Sequence, residues 1–175
     1  LQIRPKNASN ILHYLAKTGR IERIRKGIYA DKNAIKDPMV IATALFEPSY
    51  ISFTTALSLY GVIDQMASMI EVATPQTIPK TSRKILVNGV VVKYYKMRPN
   101  LMFGYRYRES RVIRGYYYYV AIPEKAILDY VYKFGDPEAT LTVNWDKLRI
   151  RLLVKLSKEY TRKVREWVKK IRKTI

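Results

Sequence analysis

Arg20, Arg23, Arg25 and Lys26 fall close together in the stretch RIERIRKGIYA at 20–30. Guanidinium and ammonium groups packed this densely along a chain suit phosphate oxygens, which accept charge-assisted hydrogen bonds and shed counterions when neutralised. Just upstream, Asn10, His13, Tyr14 and Lys17 recur at the spacing of one helix face, with Lys6 ahead of them. Asn pairs with adenine edges and Lys with guanine edges, so such a face can read bases. Lys6, Asn10, His13, Tyr14, Lys17, Arg20, Arg23, Arg25 and Lys26 are therefore the candidate DNA-contacting set.

Catalytic chemistry finds little to work with. There is one histidine, His13, and no cysteine. No His/Asp/Glu cluster has metal-ligand spacing, and no glycine-rich phosphate loop occurs. Asp37, Asp64, Glu71 and Asp129 are scattered along the chain. Glu124 and Asp129 are five apart on one expected helix and do not share a face well. Glu124 is expected to serve the helix start. Asp129 is expected on the solvated side or in a local bond. No enzymatic activity, cofactor or metal is expected.

The charge distribution favours a polyanionic partner. The 175-residue chain carries 33 Lys+Arg against 14 Asp+Glu, a formal net of +19. Residues 1–36 hold nine basic and two acidic side chains, residues 37–145 hold twelve and nine, and residues 146–175 hold twelve and three. The excess thus sits at the two ends. Nucleic acid is the first inference, with a membrane surface, RNA and an acidic protein as alternatives. No stretch of 18 apolar residues occurs, so no membrane span is expected, and no basic-then-apolar leader is seen. A cytoplasmic location is the default expectation.

These residues need elements to position them. NASNILHYLAKTG at 7–19 has Ala8, Ile11, Leu12, Leu15 and Ala16 at helical spacing, with Asn7 as cap and Gly19 as terminator. Taking Lys26-Gly27 as a two-residue turn sets Arg25 opposite Ile28, Ile24 opposite Tyr29 and Arg23 opposite Ala30. Ile24 and Tyr29 would then pack inward while Arg23 and Arg25 face out. A polar-faced helix followed by a basic hairpin is the order of recognition helix and wing in a winged helix-turn-helix.

DKNAIKDP at 31–38 looks like a linker. Pro38 should open an apolar helix to about Phe46, and Ser52 should cap a second one ending at Gly61. The middle is β-rich: Ile70–Ala73, then Lys84–Val87 and Val90–Tyr95 around the Asn88-Gly89 turn, then Tyr116–Ile122. The tyrosines at 116–119 must alternate faces, by sheet packing first and base stacking second. Pro123 to Gly135 reads as a helix buried through Ile127, Leu128 and Val131. From Trp145 the chain reads as basic helix, broken near 159–161.

Three stretches resemble the AbiEi-type antitoxin family of abortive-infection toxin–antitoxin operons: GRIERIRKGIYA at 19–30, PSYISFTTALSLYGVIDQ at 48–65, and AIPEKAILDYVY at 121–132. Their order and spacing match across about residues 5–135. The resemblance implies a winged-helix DNA-binding module followed by an α/β domain. The expected fold is therefore α+β: an N-terminal winged helix-turn-helix at 1–36, partial in that only Leu1–Lys6 precede the recognition helix, a departure from the family, then a mixed α/β domain at 37–175, whose basic helical C-terminus from about 146 falls outside the resembling stretches. The resemblance also implies a repressor of its own operon that binds double-stranded operator DNA and counteracts a nucleotidyltransferase-like toxin. The alternatives are a stand-alone winged-helix transcription factor and a basic protein-interaction or RNA-binding module.

Overall fold

The protein, as a computed structural model describing residues 5–25 and 27–174 without the side chains of 5 and 6, has a mixed α+β fold. Helix α1 spans Pro5–Lys17. Asn7 lies inside it and is exposed, so it is not the cap that the sequence suggests. The C-terminal signal holds. Gly19 adopts φ 71°, the Gly19 N–H donates to Ala16 and the Arg20 N–H donates to Leu15, which closes the helix in a Schellman arrangement.

Strands β1 (Ile21–Arg25) and β2 (Ile28–Asp31) form an antiparallel hairpin. Arg25 does face Ile28. Arg23, however, faces Tyr29, and Ile24 is the extra residue of a β-bulge. The expected Ile24–Tyr29 pair is therefore absent. A bulge lets two successive residues leave the normal alternation. Ile24 packs on the main core and Arg25 turns the same way, while Arg23 stays exposed.

The expected linker is structured. Helix α2 (Lys32–Ile35) is one turn capped by the Asp31 carboxylate, which accepts from the Asn33 N–H at 2.7 Å. Its Ala34 and Ile35 are buried in the main core. Asp37 then caps α3 (Pro38–Ala44), accepting from the Met39 N–H at 2.9 Å with one oxygen and from Ser110 Oγ at 2.6 Å with the other.

Strand β3 is only Tyr50–Ile51, and α4 (Phe53–Leu59) follows it directly. Then come β4 (Ile70–Thr74), β5 (Lys84–Val87) and β6 (Val90–Lys96). Asn88 and Gly89 both take positive φ, 46° and 75°, as the β5–β6 hairpin turn requires. Strands β7 (Tyr105–Glu109) and β8 (Tyr117–Ala121) complete a six-stranded sheet of order β5-β6-β4-β3-β8-β7. The β4–β6 and β3–β8 pairs are parallel and the rest antiparallel. Tyr118 is buried, whereas Tyr117 and Tyr119 stand half-exposed and pack with Tyr107, as alternation demands.

Helix α5 (Pro123–Phe134) lies on the sheet face that carries Tyr50; α3 lies on the other, where Tyr94 donates to the Ala42 carbonyl at 2.8 Å. Helices α6 (Ile150–Ser157) and α7 (Arg162–Thr174) close over α5. α7 buries Val164, Trp167, Val168 and Ile171 and turns its Lys and Arg outward. No described helix is long and apolar enough to cross a membrane.

Candidate nucleic-acid interface and the buried carboxylate cluster

Helix α1 packs along β1, and between helix and hairpin lies a concavity of about 640 Å³. Asn10 and His13 line it from the helix, and Arg23, Gly27 and Tyr29 from the hairpin. The bulge brings this about: with Ile24 displaced, Arg23 and Tyr29 become partners across the strands. An amide, an imidazole, a guanidinium and a phenol thus face one open space. Such a set can donate to phosphate oxygens and present hydrogen-bonding groups to base edges.

The other candidates are placed differently. Tyr14 (64% exposed), Lys17 and Arg20 are exposed but do not line this concavity. Lys26 and the side chain of Lys6 lie outside the described residues. Arg25 does not face outward as expected: its guanidinium sits 4.4 Å from the centre of the Phe46 ring. Its Nε is buried without a hydrogen-bond partner among the described residues. This arrangement ties the hairpin to the main core by a cation–π contact. α1 itself has no fully buried described side chain, and Ile11, expected in the apolar stripe, is 46% exposed.

A second constellation was not legible in the sequence. Asp129, expected on the solvated side of its helix or in a local bond, is fully buried, and the local bond is present, to Lys125 one turn earlier. It accepts hydrogen bonds from Tyr50 Oη at 2.9 Å, Ser52 Oγ at 2.7 Å, Lys125 Nζ at 2.5 Å and Tyr160 Oη at 2.6 Å. Ser52 occupies the N-cap position of α4, but its hydroxyl serves Asp129 and not the helix. Lys125 is also fully buried, and its ammonium stands 4.7 Å over Phe103 and 4.9 Å over Tyr160. Burial pulls the Lys125 pKa down against the raising pull of Asp129. Burial, reinforced by the Asp129 charge, pushes Tyr50 and Tyr160 well above the ordinary phenol range.

The cluster joins β3, the start of α4, α5 and the α6–α7 joint at one carboxylate. Asp129 and Lys125 are sealed from solvent, and the cluster ties these elements together. Glu124 makes the neighbouring tie. Its buried carboxylate accepts from the Arg149 backbone N–H at 2.9 Å and from the guanidinium at 2.8 and 3.1 Å. Burial alone would raise the Glu124 pKa; the bonds from Arg149 hold it below the usual value. Glu124 thus anchors the start of α6 in addition to sitting in the first turn of α5. Among the described residues, no three His, Asp or Glu side chains gather as a metal site.

No family model matches the chain, and no curated protein matches it significantly.

Proposed function

We propose that this chain is a DNA-binding transcriptional regulator of the AbiEi antitoxin type, in which α1 and the β1–β2 hairpin act as recognition helix and wing. The observation that carries the reading is the shared concavity, where Asn10 and His13 on the helix face Arg23 on the hairpin. The basic excess of residues 1–36 and the three sequence stretches that resemble that family support it. In this reading Asn10 and His13 meet base edges, Arg23 meets a phosphate, and Lys17 and Arg20 extend the contact along the backbone. The regulator represses its own operon and counteracts a nucleotidyltransferase-like toxin.

Fluorescence anisotropy tests this with the duplex upstream of the gene and a scrambled duplex of equal length. The upstream duplex should bind more tightly, and Asn10→Ala with His13→Ala should remove that preference while sparing nonspecific binding. Equal affinity of the unsubstituted chain for both duplexes would overturn sequence-specific recognition. Failure to co-purify with the neighbouring gene's product would remove direct toxin contact from the reading.

A further inference from the structure

At the β5–β6 end of the sheet, beside the C-terminal turn of α5, lies a cavity of about 380 Å³ lined by Arg83, Lys93, Tyr94, Tyr95, Lys96 and Lys133. Four of the six lining residues are cations and none is acidic. The basic termini do not account for this, because residues 37–145 are nearly balanced at twelve basic against nine acidic. The cationic lining is assembled by folding: β6, the turn before β5 and the end of α5 each contribute to it, with Lys93 and Lys96, three apart on β6, on opposite faces of the sheet.

None of the four has an anionic partner among the described residues. Arg83 Nε donates to the Ile78 carbonyl at 3.1 Å, Lys96 Nζ to Thr77 Oγ1 at 2.5 Å, and Lys133 Nζ to the Lys96 carbonyl at 3.4 Å. Lys93 Nζ stands 4.9 Å over the Tyr95 ring. The neighbouring carboxylate, Glu71, stands opposite Lys93 in the β4–β6 register and is occupied by the Thr54 N–H, the Thr54 hydroxyl and the Tyr95 hydroxyl. Like charges held in one concavity repel, and a compact anion with several oxygens converts that repulsion into attraction. Arg83 can engage phosphate oxygens bidentately and the lysines as point charges.

We propose that this cavity binds a compact phosphate chain, the di- or triphosphate group of a small molecule such as a nucleotide. Its volume lies in the small-ligand range of roughly 300–1,000 Å³. Phe134, 46% exposed and 5.2 Å from Tyr95 between ring centres, supplies an aromatic surface where a base can rest once the phosphates are seated. The proposal does not depend on DNA binding by α1 and the hairpin.

Isothermal titration of the full chain with tripolyphosphate, with ATP and with a short single-stranded oligonucleotide tests it. Tripolyphosphate should saturate a single site. Lys93→Gln with Lys133→Gln should weaken it at least about tenfold, the scale of losing charge-assisted bonds. The charge-matched Lys163→Gln with Lys173→Gln on α7 should leave it unchanged. Should Lys93→Gln disturb packing on Tyr95, Arg83→Gln with Lys133→Gln reads the same loss. Tighter binding of ATP than of tripolyphosphate adds a base contact to the site; equal binding assigns it to the phosphate chain alone. Absence of saturation by tripolyphosphate, equal weakening by the cavity and α7 variants, or binding of the oligonucleotide alone would overturn the proposal.

Discussion

Replacing Asp129 by Ala should be among the most damaging single changes to this fold. The substitution leaves the Lys125 ammonium buried with no countercharge, and it strips an acceptor from Tyr50, Ser52 and Tyr160. Breaking a buried pair by removing one partner costs about 3–5 kcal/mol. Each hydroxyl left unpaired would add about 1–3 kcal/mol, but water entering the vacated space and the surviving Lys125–Tyr160 contact limit the sum. The expected loss is about 3–5 kcal/mol, against a total stability of roughly 5–15 kcal/mol for an ordinary domain. Lys125→Met removes the cation yet leaves Asp129 three hydroxyl donors, so it should cost less. Urea unfolding followed by circular dichroism measures both, together with the double variant Lys125→Met/Asp129→Ala. The double variant should be more stable than the sum of the single losses by about 0.5–3 kcal/mol, because the charges answer each other. A loss under about 1 kcal/mol for Asp129→Ala, or strict additivity, would refute the keystone role.

Two further outcomes follow from the same ties. Tyr50, Tyr94, Tyr95 and Tyr160 hold their protons above the ordinary phenol value of 10.0, chiefly through burial. The folded state therefore binds more protons than the unfolded one once pH passes 10.0, and stability should fall as pH rises through that value. Lys125, lowered by burial, opposes this as a single group. Thermal melts across this range, with tyrosinate absorbance, check the sign; rising stability would contradict it. On the acid side, Glu124 titrates below its ordinary 4.5, so its contribution is present above that pH and is lost as pH falls through the folded value. Glu124→Ala should cost about 1–3 kcal/mol by orphaning the Arg149 N–H and should flatten the acid limb of a stability–pH curve. An unchanged limb would count against the tie.

Local signals reported the local elements well. Asn88-Gly89 marked its hairpin because only a turn with two positive φ values selects that pair, and Pro123 with Gly135 bracketed α5. Gly19 ended α1, and the break between α6 and α7 fell where the apolar period slips. What was missed depends on distant partners. β3 has two residues, too few to show alternation, and is a strand only because β4 and β8 flank it. β7 did carry a signal, the Tyr-Arg-Tyr-Arg alternation at 105–108, but its tyrosines are read as strand only beside β8. α2 looked like a linker because one turn of helix leaves no period; the burial of Ala34 and Ile35 defines it. In the Asp129 cluster only the i,i+4 spacing of Lys125 and Asp129 was visible, since Tyr50, Ser52 and Tyr160 arrive through the fold. The Ile24 bulge likewise reverses a strand-alternation argument, and it separates Arg23 from Arg25.

That separation gives the most direct test of the DNA-binding account. Affinity for duplex DNA is measured against salt concentration for the unsubstituted chain, Arg23→Ala and Arg25→Ala. Arg23 faces the open concavity, so its removal should flatten the log–log salt slope by about 0.9, the loss of one phosphate contact. Arg25 is held over Phe46, so its removal should leave the slope unchanged and instead lower thermal stability. An Arg23→Ala slope equal to that of the unsubstituted chain, or a slope that flattens only with Arg25→Ala, would contradict the assignment of the hairpin's open face to DNA.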